Sequence, residues 1–215
     1  MNTDSRALSK LERKVQRAIV EALISTAVAK GEIDPTAKSQ REMWEELLPT
    51  FKSLATGEQK MAWVIDHRST LLAQARDFRK RERAELAILL YATWFEHWIN
   101  GLLDNRAVTA GFTAAEVSLL LRHTSTLKAK FSCFPVIVKF PRLSAKHINA
   151  VTTCAELRNA FVHYKFTARS MDDDAYENEL SRALEKAEAA VVYLKRYEHQ
   201  HVFRRSRKRI RELAK

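Results

Sequence analysis

Turn-forming residues are scarce: the chain of 215 residues has four glycines and four prolines. A β-sandwich or barrel needs a turn every few residues, so both are excluded. Cysteine is scarcer still, with only Cys133 and Cys154. Two thiols make no disulfide framework, and their spacing is not the C-x-x-C of a metal site. They read as reduced thiols, with Cys154 packed in a helix. No apolar run is long enough to span a bilayer: the most apolar stretch, residues 84–95, ends at Glu96. The opening residues, MNTDSRALSKLERK, contain no apolar signal core. A soluble, cytoplasmic protein with no membrane partner is expected.

What is abundant points to helices. Ala, Leu, Glu, Lys and Arg are frequent, and all favour the helix. With 46% apolar residues the chain can bury a sizeable core. The composition therefore predicts an all-α protein. Its formal charge of +11 is spread unevenly. Residues 195–215 hold nine Lys and Arg, among them Arg204, Arg205, Arg207, Lys208, Arg209 and Arg211, against Glu198 and Glu212. A second basic run covers residues 76–83. Such fields favour polyanions. They are equally compatible with a solvated helix end that keeps a protein in solution.

Hydrophobic periodicity places the helices. Leu8, Leu11, Val15, Ile19, Leu23 and Ala27 recur at three- and four-residue spacing, predicting a helix over 5–30 that Gly31 ends. A short helix is expected over 40–48, closed by Pro49, and a third over 57–78. Residues 82–105 carry the clearest pattern, with Ile88, Tyr91, Phe95, Trp98 and Leu102 in register; Trp94, Phe95 and Trp98 read as core. Thr113 and Glu116 form a capping-box pattern ahead of a helix over 114–122. A helical piece follows over 126–131. Two prolines and a β-branched run make residues 134–143 an expected crossing loop. Ser144 is the expected cap of a helix over 145–164. The last helix starts near Asp174, with Leu180, Leu184, Ala187, Val191 and Leu194 as its stripe. It is a candidate to run on into the basic tail. His199 and His201 have no acidic or cysteine partner nearby and read as surface rather than as metal ligands.

The stretch AELRNAFVHYKF, residues 155–166, carries three polar groups in an otherwise apolar helix. At about 100° per residue, Asn149, Glu156, Asn159 and His163 share one polar stripe. Ile148, Val151, Ala155 and Val162 make an opposing apolar stripe, and Arg158 falls on it. Arg158 and His163 are five residues apart, hence about 140° apart around the helix. An arginine on an apolar stripe costs stability unless its charge is paired. One explanation is a structural ion pair, to Glu96 or Glu156. The other is a functional arginine.

Arg158-Asn159-Ala-Phe-Val-His163 resembles the signature of the HEPN superfamily, in which an Arg followed by a polar residue precedes a His by four to six residues. The surrounding pattern is similar too. YATWFEHWINGLL (91–103) looks like the aromatic and acidic earlier helix of that family, and LLLRHTSTLKAKF (119–131) like the short helices between. The resemblance covers residues 57–197. It leaves 1–56 as an N-terminal helical extension and 198–215 as a basic C-terminal helix or tail. Some toxin members carry a Tyr two places after the His; here Lys165 stands there and Tyr164 directly follows His163.

The resemblance implies a compact helical bundle and a ribonuclease that needs no metal or other cofactor. In such an enzyme the 2′-hydroxyl of RNA attacks the adjacent phosphate, leaving a 2′,3′-cyclic phosphate. His163 is then the general base or acid. Arg158 grips the phosphate, and Asn159 orients the imidazole or bonds the phosphate. Glu96, Glu156 and Tyr164 are possible supporting residues. The family often builds its site from two protomers, which implies a homodimer through the motif helix. Membership in a bacterial defence or toxin–antitoxin system, with an inhibitory protein partner, follows by analogy. The basic runs would track RNA phosphates. The alternative is a non-catalytic helical module that binds RNA or a protein. A helical DNA regulator is a third reading, though residues 113–130 hold no convincing recognition helix.

Overall fold

A computed structural model describes residues 3–34, 39–56, 66–163, 173–204 and 207–213. Among these the regular structure is helical, with no strand. In chain order the elements are α1 (Thr3–Lys30), α2 (Gln40–Ala55), α3 (Arg68–Lys80), α4 (Ala84–Thr109), α5 (Ala114–His123), α6 (Leu127–Val138), α7 (Ala145–Val162) and α8 (Asp173–Tyr197), then a π-helical turn (Glu198–Val202) and α9 (Arg207–Leu213). The all-α class read from composition is what the chain adopts. No described helix is long and apolar enough to cross a membrane.

The chain divides into two units. The first joins Met1–Trp63 to Tyr197–Lys215, and the second is Val64–Arg196. The C-terminal segment thus groups with the N-terminal helices instead of standing apart.

In the second unit α4 is the central element, packing against α3, α5, α6 and α7. Apolar residues surround almost its whole circumference, which is what a helix buried on all sides requires. Tyr91, Trp94, Phe95 and Trp98 are fully buried, as their spacing predicts. Trp98 stacks on Phe131 of α6 with ring centroids 5.7 Å apart, and meets Phe134 edge-on at 6.2 Å. Helix α8 buries the expected stripe of Leu180, Leu184, Ala187, Val191 and Leu194. Its Glu188 is tied to two other helices: Tyr91 of α4 donates its hydroxyl to Glu188 Oε2 at 2.6 Å, and Arg76 of α3 forms an ion pair with the same carboxylate.

Two expected breaks do not occur. Pro135 lies inside α6, and residues 134–138 are helical rather than a crossing loop. Phe131, Phe134 and Val138 flank the proline and are all buried, so core packing outweighs the lost hydrogen bond. The helix stops instead at Lys139, in the left-handed conformation with φ 54°. Pro49 likewise lies inside α2. Leu47 and Phe51 on either side of it join the core of the first unit, and the Trp44 and Phe51 rings lie 5.7 Å apart. Packing on both sides offsets a proline penalty of about 3 kcal/mol.

Capping follows the pattern in one place and departs from it in another. Thr113 and Glu116 form the complete reciprocal box at the start of α5. Ser144 occupies the cap position of α7, but its side chain makes no capping bond; its backbone N–H donates to Tyr193 Oη of α8 at 2.9 Å. The third helix starts at Arg68, where Asp66 accepts the Arg68 N–H at 2.9 Å; residues 57–65 of the expected helix lie outside the described set.

The first unit is built on Ile24, Ala27 and Val28 of α1, Met43 and Leu47 of α2, and Ile210 of α9. Among the described side chains of α1, the buried ones lie in its C-terminal part and Val15 is exposed; the side chains of Leu8 and Leu11 lie outside the described set. The last helix does not run on into the basic tail. A π-helical turn follows Tyr197, and Arg204 takes a left-handed φ of 43° before α9. Ile210 of α9 packs in the α1–α2 core.

Candidate functional site

Helix α7 sets the register of the motif. Its core-facing residues are Ala150, Val151 and Cys154. The expected stripe through Ala155 and Val162 is therefore displaced; Val162 is exposed. Arg158 lies one turn beyond Cys154, about 40° away around the helix, so it extends the buried face. The anomaly read from the sequence is real, and the structure shows how it is accommodated.

Arg158 Nη1 donates to Glu96 Oε2 of α4 at 3.3 Å. Of the two acids expected as partners, Glu96 is the one used; Glu156 is exposed. The opposite edge of the guanidinium is occupied as well. Nε and Nη2 both donate to Asn159 Oδ1, at 3.2 and 2.9 Å. The Asn159 amide oxygen therefore faces Arg158, where the expectation had it orienting the imidazole or bonding the phosphate. Its link to His163 is a backbone one, the His163 N–H donating to the Asn159 carbonyl at 3.0 Å.

His163 is the C-terminal cap of α7 and is exposed. Its ring makes no hydrogen bond or ion pair among the described residues. Helical geometry up to Val162 preserves the angular separation from Arg158. Tyr164, the next candidate, lies outside the described residues.

Glu96 has a second partner that the sequence reading missed. Lys130 of α6 donates its ammonium to Glu96 Oε1 at 3.2 Å. Lys130 is only 5% exposed. Each carboxylate oxygen thus serves a different cation, and three helices meet at one acid. Two cations against one carboxylate leave the cluster one positive charge in excess. A signal existed for Lys130: it sits three residues after Leu127 and four before Phe134, on the buried stripe of its helix. It is the same anomaly that singled out Arg158.

Cys154, one turn before Arg158, is fully buried and donates its thiol to the Ile88 carbonyl at 3.5 Å. Burial pushes its pKa up to about 12, against the opposing effect of the Arg158 charge. The thiol is therefore protonated and structural, as expected. Among the described residues no three His, Cys, Asp or Glu side chains converge in a way that could hold a metal ion.

The basic tail is tied down. Arg204 is ion-paired with Asp34. Arg207 pairs with the buried Glu198 at 3.2 Å and lies 4.3 Å from the centroid of the Phe203 ring. Arg211 meets Glu21 of α1 at 3.4 Å. Lys208 projects outward, its side chain 91% exposed and its ammonium 4.0 Å from Glu212. Arg205 and the side chain of Arg209 lie outside the described residues. In the other basic run, Arg76 is held by Glu188, and Arg81 pairs with Asp77 at 3.0 Å. His199 and His201 are half-buried rather than on the open surface; the His201 ring lies 4.5 Å from that of Tyr197, and burial lowers its pKa.

No family model matches the chain, and neither a curated protein nor a solved structure does.

Proposed function

We propose that this chain is a HEPN-type endoribonuclease that cuts RNA without a metal. The observation that carries the reading is Arg158. It is a cation on the core-facing side of α7, anchored by Glu96 and only partly exposed, five residues before an exposed histidine at the helix end. A guanidinium fixed in this way can meet a phosphodiester without first losing much side-chain freedom. His163, in contact with solvent, can take the proton from a 2′-hydroxyl or return one to the 5′-oxygen. The products would be a 2′,3′-cyclic phosphate and a 5′-hydroxyl.

The register supports a composite site. Because Arg158 and His163 diverge by about 140° on one helix, the Arg158 of one protomer and the His163 of a second can face a common cleft. We therefore assign the active form to a homodimer through α7. A role as toxin or effector in a bacterial defence or toxin–antitoxin system, restrained by an inhibitory protein partner, follows from the same resemblance.

One observation favours a second reading, a non-catalytic helical module binding RNA or protein. All three guanidinium nitrogens of Arg158 already donate, to Glu96 and Asn159. Such an arginine can be purely structural.

Incubation of total RNA with wild type, Arg158→Ala and His163→Ala in EDTA separates the two. Cleavage by the wild type and by neither folded variant supports the enzyme. Binding without cleavage by all three supports the module. Light scattering tests the dimer: a fully active monomer would rule out the shared site.

A further inference from the structure

Among the described residues only Lys130 and Glu198 are both charged and buried. Glu198 has Arg207 beside it within its own unit. Lys130 has a different position, because its partner Glu96 is also the anchor of Arg158. The Lys130 ammonium sits on the core side of Glu96, while Arg158, 28% exposed, sits toward solvent. A lone carboxylate beside an arginine tends to close on it with both oxygens, fork to fork. Here it does not: one oxygen goes to each cation.

We infer that Lys130 is the positioning residue of the Arg158 site: by holding one oxygen of Glu96 it leaves Arg158 with charge and donors for an incoming phosphate. Without Lys130 the cluster charge falls from one positive to zero, and both Glu96 oxygens become available to Arg158. Arg158 is then neutralised by its own anchor. Removing Glu96 as well restores the single positive charge. Lys130 itself touches no substrate; it acts through Glu96. Asn159 is a weaker competitor for the other guanidinium edge, because an amide oxygen carries no net charge and a phosphate displaces it more readily than a carboxylate. The biological meaning of the assignment rests on the ribonuclease reading, but the coupling of Lys130 to anion binding at Arg158 does not.

The test uses the full chain and inorganic phosphate as the probe. The Nε–H signal of Arg158 in nitrogen-15 spectra, assigned with Arg158→Lys, is followed at pH 7 as phosphate is added. Wild type is expected to respond. Lys130→Met should raise the midpoint concentration about fivefold or more, the scale of losing one unit charge at close range. Lys130→Arg should stay near the wild type. Glu96→Gln/Lys130→Met, which leaves no buried ion unpaired, should return to within about twofold of the wild type. A merely structural lysine predicts the reverse order, with the double variant no better than the single one. An unresponsive wild-type signal, an unchanged Lys130→Met midpoint, or a double variant as weak as the single one overturns the proposal. Cleavage of RNA in EDTA is scored separately. If phosphate binding follows the predicted order and no variant or wild type cuts RNA, the ribonuclease reading fails and the Lys130 assignment stands.

Discussion

Glu96 on α4 holds Arg158 on α7 through one carboxylate oxygen, at 3.3 Å, while its other oxygen holds a buried lysine. This bridge ties α4, α6 and α7 together at the point where the motif helix leaves the core. Its loss should therefore affect folding as well as chemistry.

Glu96→Ala leaves the Lys130 ammonium buried without its counter-ion. The expected cost is about 3 kcal/mol, the usual scale for breaking a buried pair by removing one partner. Lys130→Met/Glu96→Gln should cost clearly less, because the one cation left without a counter-ion, Arg158, is partly exposed to solvent rather than buried. Urea unfolding of the two variants measures the difference. Equal destabilisation would show that the bridge contributes only packing.

A second polar clamp gives a pH dependence. Burial alone would raise the Glu188 carboxyl, but hydrogen bonds from Arg76 and Tyr91 and the charges of Arg76 and Arg79 outweigh it, and the folded value is lowered. Burial, together with the Glu188 carboxylate, raises the Tyr91 phenol, so it remains a donor. A lowered carboxyl contributes stability that is complete above its ordinary value of 4.5 and lost as the pH falls through the folded one. Glu188→Gln should thus lower the melting temperature at pH 7, by a loss of about 1–2 kcal/mol. Wild type and variant should begin to converge as the pH falls below 4.5 and should meet only below the lowered folded value. Parallel melting curves over that whole range would refute the clamp.

The two thiols should differ sharply in reactivity. Cys133 is exposed, whereas Cys154 is buried with its pKa pushed up to about 12. A thiol reagent at pH 8 is expected to modify one cysteine in the native protein and two after denaturation. Cys133→Ser should abolish the native reaction. Rapid native labelling of the Cys133→Ser variant would contradict the packing of α7 on α4.

Ile210 is the anchor of α9 in the first unit, only 2% exposed among Ile24, Val28 and Met43. Ile210→Ala should destabilise this unit by about 2–4 kcal/mol, the usual range for truncating a buried isoleucine. Lys208→Gln, on the exposed face of the same helix, should change stability very little. Chemical unfolding of both variants decides the point. A neutral Ile210→Ala would mean that α9 contributes no packing to the core of the first unit.

Several features were legible because they are local. The scarcity of glycine and proline excluded sheet-rich folds, and helical periodicity located the deep packing of Trp94, Phe95 and Trp98 on α4. The Thr113–Glu116 box forms as its spacing predicts, since all its atoms lie within one turn. Other features were not legible. Pro49 read as a helix stop and Pro135 as part of a crossing loop, yet both lie inside helices whose apolar side chains pack on either side of the proline. The basic tail read as a polyanion-binding field or a solvated helix end, and neither reading showed that Arg204, Arg207 and Arg211 each meet an acid of the first unit. Charge is visible in a sequence, but its partner from a distant segment is not.

By itself the sequence determined the helical class and the register that sets Arg158 apart from Asn159 and His163, because both depend on composition and on a period of 3.6 residues. It also narrowed the partner of Arg158 to two acids. Only the tertiary structure decided between them, and only it disclosed Lys130. A buried ion is tolerated where an opposite charge from another helix reaches it, and that meeting depends on how α4, α6 and α7 pack, across separations of 34 and 62 residues.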